Sequence, residues 1–390
     1  MKDFPEWPRY SEEEISAVGA VLRSGKVNYW TGEQGKLFEA EYASYVGVPY
    51  AIALANGTVA LELALHAFGI GHGDEVIVPC RTFIATASSV VMRGGQPVFV
   101  DIDPETQNID PEKIEAAITP KTKAIIVVHL GGWPCEMEQI AEIARCHNLR
   151  LIEDCAQAHG AAYNGKPVGS FGDAAAFSFC QDKIMTTGGE GGMLLLKEEA
   201  AWRRAWAYKD HGKDYNLVHR HDHPPGHRWL HSSFGTNWRM TEMQAAIGRI
   251  QLRNLDETQA RRQQNADYLS GKLRKVHGLY VPGLPSHIRH AWYRLYVVLR
   301  QECLCEVWDQ NRIVEAILAE GVPVFHGSCS EIYRERAFET IGWPDGLRLP
   351  KAKLAGERSL SFLLHPTLGE SELDLVASAV EKVMRVAAAG

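Results

Sequence analysis

Between residues 50 and 196, short continuous apolar runs alternate with stretches in which apolar residues recur three and four apart, and no other feature limits the fold as strongly. The runs, at 51–54, 75–79, 97–100, 124–129, 149–153, 174–179 and 193–196, have the length and continuity of strands buried on both faces. Helix-period stretches, including 58–68, 86–92, 111–117 and 137–147, fall between them. Such alternation implies an α/β fold, with a mostly parallel seven-stranded sheet flanked by helices. In sheets of this kind ligands collect beyond the carboxyl ends of the strands, so the loop residues just after each run are the first candidates for chemistry.

Beyond about residue 240 the texture changes. A long helical stretch at 241–272, rich in Gln and Arg, reads as a connector. Strands near 292–299 and 322–325 and a terminal helix from Ser371 read as a smaller α+β lobe. The expected division is 1–245 for a large domain and 246–390 for the connecting helix and small domain. Forty-one Lys and Arg against 48 Asp and Glu give a net charge of −7, without the basic excess of a nucleic-acid binder. The eight cysteines are scattered and lie mostly in apolar runs, no uncharged run is long enough to cross a membrane, and the opening residues lack a signal-peptide pattern. A cytoplasmic protein with neither nucleic-acid nor membrane partners is expected.

Three strand-end loops are chemically loaded. In Leu54-Ala55-Asn56-Gly57-Thr58-Val59, a strand meets a helix through a glycine and a hydroxyl residue, the outline of an anion cradle. A plain helix cap by Thr58 is the simpler alternative. In Leu151-Ile152-Glu153-Asp154-Cys155-Ala156-Gln157, two acids stand at the mouth of a buried strand, where a carboxylate could hold a metal, cap the next helix or pair with a protonated ring nitrogen. In Phe177-Ser178-Phe179-Cys180-Gln181-Asp182-Lys183, one lysine separates an apolar strand from a glycine-rich turn. If it is held in an apolar setting, its pKa should fall, as in Schiff-base lysines; a solvated surface lysine is the alternative. An amine, an acid and a phosphate cup on one sheet edge are what pyridoxal phosphate requires.

These segments resemble the DegT/StrS family of pyridoxal-phosphate sugar aminotransferases. The likeness runs from Tyr10-Ser11-Glu12 through Asn56-Gly57-Thr58, Gly73-Asp74-Glu75, the Glu153-Asp154 box and the Lys183 box to Gly235-Thr236-Asn237-Trp238-Arg239-Met240, and extends more loosely to the end. It implies an aspartate-aminotransferase-like fold (fold type I), with Lys183 as the Schiff-base lysine and Asp154 as the acid on the pyridine nitrogen. It likewise implies that Gln157 lies near the phenolic oxygen, that Phe83 stacks on the ring, and that Gly57, Thr58 and Ser178 bind the phosphate. Asn237 resembles a phosphate contact donated by a neighbouring subunit, which implies a homodimer with a shared active site. A lysine rather than a histidine at 183 favours amino transfer over the family's sugar dehydratases. The implied reaction moves an amine from an amino acid, L-glutamate, through pyridoxamine phosphate to a keto group of a nucleotide-linked deoxysugar; an aminocyclitol or other ketone is the alternative acceptor. The turn Thr187-Gly188-Gly189-Glu190-Gly191-Gly192 is one residue longer than the family's usual pattern.

Between Lys209 and Ser233 lie His211, His219, His221, His223, His227 and His231. No regular element fixes the 219, 221 and 223 spacing and no cysteine joins it, so no metal is expected; a mobile loop over the sugar fits better. Within this loop Trp229 is a candidate for packing on the substrate, as is Trp238 just beyond it, with core packing as the alternative for both. His326, in the small lobe, is similarly placed to a residue the family uses near the sugar, with a satisfied core histidine as its alternative.

Overall fold

The computed structural model describes residues 4–220, 222, 226–342 and 346–388. Its central sheet contains β1 (Tyr50–Leu54), β2 (Glu75–Pro79), β3 (Gln96–Val100), β4 (Thr122–Val128), β5 (Arg150–Asp154), β6 (Ala174–Ser178) and β7 (Gly192–Leu196). These are the seven runs read from the sequence. Their spatial order is β1-β7-β6-β5-β4-β2-β3, and only β7 runs antiparallel to its neighbours.

Both faces of the sheet are buried, and side chains alternate between them with the period of two that a strand imposes. Ile52, Leu54, Val76, Val78, Ile126 and Ile152 enter one core with helices Gly57–Ala67 and Ala85–Met92. Ala51, Ala53, Ala175, Phe177, Met193 and Leu195 enter a second, and Ile77, Ile125, Val127 and Leu151 a third. The same alternation sends Glu153 and Asp154 to opposite faces.

The expected connector is two helices, Glu242–Arg253 and Leu255–Leu273, divided where Asn254 leaves helical geometry at φ −93° and ψ 2°. The division keeps Leu252 and Leu255 in the large-sheet core while Ala266, Leu269 and Leu273 reach the core of the small lobe. That lobe has an antiparallel sheet of β8 (Leu279–Tyr280), β9 (Arg294–Leu299) and β10 (Ser359–Leu363), covered by helix Glu370–Ala387. The strand expected at 322–325 does not form: only Phe325 pairs, with Ser361. Pro323 supplies no N–H to a ladder there. Ile332, Tyr333, Phe338 and Ala352 pack back into the first core of the large sheet, and Asp101 accepts the backbone N–H groups of Lys351 (3.0 Å) and Ala352 (2.9 Å) at the start of helix Pro350–Arg358.

Candidate active site

One edge of the sheet collects the loaded loops. β1 runs into Asn56, Gly57 and Thr58; β2 into Arg81, Thr82 and Phe83; β4 into His129; β6 ends on Ser178 and leads to Lys183. β5 ends on Asp154, and the antiparallel β7 brings its amino end, at Gly192, to the same edge.

Asp154 is buried on the face of Ile152. Its Oδ2 accepts from the Thr86 hydroxyl at 2.9 Å, and Oδ1 from the Ala156 N–H at 3.1 Å. Burial raises the carboxyl's pKa, and these donors with Lys183 offset that only in part. A group so placed gains most from a cationic partner. Glu153 faces the other way. It accepts from the N–H groups of Gly169 (2.7 Å), Phe171 (2.8 Å) and Gly172 (2.7 Å), and from His129 Nε2 at 3.2 Å. The Cys135 N–H donates to His129 Nδ1 at 3.0 Å, which assigns the ring proton to Nε2. Burial acts to raise the Glu153 pKa, but His129 and the backbone donors outweigh it and hold the group below its ordinary value. His129, Glu153 and Cys155 place ligand-type atoms within 4.8 Å of one another. The carboxylate is already committed to backbone donors, so this set is a brace for the 169–172 turn.

The Lys183 ammonium lies 4.8 Å from the centroid of the Tyr293 ring and 3.9 Å from Asp182 Oδ1. The Tyr293 hydroxyl donates to Asp182 Oδ2, and the Trp7 indole N–H donates to the Lys183 carbonyl at 2.9 Å. The expected fall in the lysine pKa is not found. Burial does lower it and is the largest single influence, yet Tyr293, Asp182 and Asp154 together carry it above the ordinary value. The apolar strand is only part of the surroundings; the aromatic ring arrives from the small lobe.

Gly57 is pressed against Ser178: a Cβ at Gly57 would stand 2.7 Å from the Ser178 Cβ and 3.1 Å from its Cα. The helix that follows is capped by Asn56, whose side chain accepts from the Val59 N–H at 3.0 Å. That displaces the plain-cap reading of Thr58, whose hydroxyl makes no hydrogen bond among the described residues. His159 Nε2 donates to the Ser178 carbonyl and Nδ1 accepts from the Tyr42 hydroxyl, both at 2.8 Å; burial pushes this imidazole's pKa down to about 3. Gln157 Oε1 accepts from the Gly131 N–H at 2.7 Å. Phe83 is 67% exposed. In the lengthened turn Gly188 (φ 87°) and Gly189 (φ 123°) take left-handed conformations, while the Phe179 N–H still reaches the Gly191 carbonyl at 2.8 Å.

Asn237 is exposed; its backbone pairs with Asp210, and the next residue, Trp238, accepts from the Ala55 N–H at 2.9 Å beside the Gly57 loop. Trp229 is 83% exposed and touches the His227 ring at 5.7 Å, so it is not a core residue, whereas Trp238 packs on Tyr208 at 5.3 Å. His326 is also exposed, its Nε2 2.9 Å from Asn311 Oδ1, which removes the core-histidine alternative. Contrary to the expectation of no regular element there, His219 ends a short helix, Tyr215–His219, capped by Asp214, and bonds the Tyr215 carbonyl at 2.8 Å. His221 and His223 lie outside the described residues.

Sequence reasoning missed Thr86, His159 and Tyr293. Thr86 opens a helix-period stretch already read and His159 stands two residues beyond Gln157, but Tyr293 is 110 residues from Lys183 and carries no local signal. A primary amine, a buried carboxylate, an open aromatic ring and hydroxyls at a glycine with no space for a Cβ fit pyridoxal phosphate. The family model for DegT/DnrJ/EryC1/StrS aminotransferases matches residues 8–381. The chain belongs to this family. It is 40% identical over 360 residues to GDP-perosamine synthase of Caulobacter vibrioides, covering 91% of this chain and 92% of that protein. It is 35% identical over 375 residues, 96% of each, to dTDP-3-amino-3,6-dideoxy-alpha-D-galactopyranose transaminase of Aneurinibacillus thermoaerophilus. The crystal structure of an aminotransferase from Psychrobacter cryohalolentis superimposes with a TM-score of 0.95 at 52% identity, covering 98% of both chains. The protein is accordingly a pyridoxal-phosphate-dependent aminotransferase with the fold type I architecture.

Proposed function

We propose that the enzyme transfers the amine of an amino acid, L-glutamate, to a keto group of a nucleotide-linked deoxysugar. The observation that carries this reading is Lys183 and Asp154 on one sheet edge with the Gly57–Ser178 cradle; the names of the relatives support the acceptor class. When bound, pyridoxal phosphate supplies an electron sink next to the reacting carbon. Lys183 would hold it through its amine, and the same amine would serve as the acid–base group that moves the proton. Asp154, oriented by Thr86, keeps the ring nitrogen protonated. Gly57, Thr58 and Ser178 would hold the phosphate, and Gln157 and Phe83 would contact the phenolic oxygen and the ring.

In this reading residues 1–245 carry the cofactor set and 246–390 close over it. The enzyme is a cytoplasmic homodimer in which Asn237 serves the partner's phosphate site. Supporting the dimer, Asn237 is exposed in the same stretch of chain as Phe234, itself 99% exposed, and Trp229. Trp229 and His326 are proposed sugar contacts. Among the described residues no helix is long and apolar enough to cross a membrane. Lys183→Ala tests the core of the proposal: the visible band of the lysine-bound cofactor and its fixation by borohydride should both disappear, and a variant that keeps them removes Lys183 from its role. Incubating wild type with L-glutamate and a panel of nucleotide ketosugars, read by mass spectrometry, tests the substrates. A deoxygenated ketose in place of an amino sugar would overturn the assignment.

A further inference from the structure

The Tyr293 ring holds two cations. Lys183 Nζ is 4.8 Å from its centroid and the Arg294 guanidinium carbon 5.2 Å. Asp182 neutralises the first, through its 3.9 Å approach to Lys183. Among the described residues Arg294 has no such partner: its guanidinium also lies over the ring of Phe325, at 4.7 Å, and its buried Nη1 makes no hydrogen bond. Arg262, almost wholly buried, donates only from Nη1, to the Trp292 carbonyl at 3.2 Å, and stacks on Trp7 at 5.2 Å; its Nε and Nη2 are unpartnered as well. Among the described residues no carboxylate lies within ion-pair distance of either guanidinium. Buried guanidinium nitrogens are ordinarily paired, so the buried Arg262 and the half-buried Arg294 with its unpartnered Nη1, both near the Lys183–Tyr293 contact, make a site for an anion.

Two anionic substrates would visit the site in the proposed reaction. The amino acid carries a carboxylate bonded directly to the carbon that gives up its amine. The nucleotide sugar carries its phosphates on C1, across the ring from a reacting C3 or C4. A cation on the same aromatic ring as Lys183 matches the closer of these two charges. We propose that Arg294 receives the carboxylate attached to the reacting carbon of the amino-acid donor, with the buried Arg262 adding positive potential to the same region. The Phe325 and Tyr293 rings both lie against the guanidinium, at 4.7 and 5.2 Å, which limits how far it must reorganise to meet the carboxylate. This rests on the donor reading above.

The test compares L-glutamate with its α-amide, isoglutamine, in the half-reaction followed by loss of the visible band. Wild type should prefer glutamate by about tenfold or more, the worth of a charge-assisted contact. Arg294→Met, which keeps the apolar stem, should lose that preference; Arg294→Lys should restore part of it; the KM for the ketosugar should stay unchanged in both. Melting of cofactor-free Arg294→Met should match or exceed wild type, because a half-buried cation with an unpartnered buried nitrogen is gone. Retained preference for glutamate, or a rise confined to the ketosugar KM, would overturn the proposal, the latter assigning Arg294 to the diphosphate. If wild type does not react with glutamate, the donor reading fails by itself, and the same acid-and-amide comparison applies to whichever amino acid does react.

Discussion

The adjacent acids Glu153 and Asp154 should fail in opposite ways when each is neutralised. In Glu153→Gln one oxygen can still accept from Phe171 and Gly172, but the new NH2 then faces the Gly169 N–H and the His129 Nε2–H, both of which donate to the other oxygen in the native chain. Two buried donors without acceptors cost about 1–3 kcal/mol each, so the loss is roughly 4 kcal/mol. At about 2 °C per kcal/mol for a large domain, the melting temperature should fall by about 8 °C. Because the native Glu153 pKa is depressed, its contribution is present above the unfolded carboxyl pKa and is lost as pH falls through the folded value. The difference between the two proteins should therefore be largest near neutrality and shrink below about pH 4. The assay is thermal unfolding of cofactor-free protein, with the visible band of reconstituted protein as control. Glu153→Gln should keep the band, since its side chain lies across the sheet from Lys183, whereas Asp154→Asn should melt like wild type and lose amine transfer. A shift under about 2 °C for Glu153→Gln, or rescue of its stability by a divalent metal, would refute the brace.

Gly57→Ala should weaken pyridoxal-phosphate binding at least about tenfold in fluorescence titration and also lower the cofactor-free melting temperature by about 2–6 °C, because the added methyl meets Ser178 and forces the cradle apart. Burial holds His159 and His290 near pKa 3, below the unfolded value of about 6.5, so the unfolded chain takes up protons that the folded chain refuses. Stability is then complete above about pH 6.5 and should decline by about 2 kcal/mol per histidine down to pH 5; a flat urea-unfolding profile over that range would contradict it. For the shared site, co-refolding inactive Lys183→Ala with inactive Asn237→Ala should restore about a quarter of wild-type turnover, since half the dimers are mixed and each carries one intact site. Sites built within one chain would restore none.

What the sequence determined by itself is what depends on neighbours along the chain. Seven apolar runs became the seven central strands because a strand buried on both faces must be continuously apolar, and Lys183, Asp154 and Gly57 were legible because strand-end loops are where such a sheet exposes polar groups. The sequence was misleading where one residue altered the backbone, as at Pro323 and Asn254. Tertiary structure alone decided the charges. Whether Glu153 or Asp154 faced the lysine depended on strand parity together with what packed on each face, and the Lys183 pKa rose because Tyr293 and Asp182 met it in space. Arg294 became a candidate ligand for the same reason. Electrostatic environments are sums over spatial neighbours, and a linear pattern of residues does not contain those sums until the chain has folded.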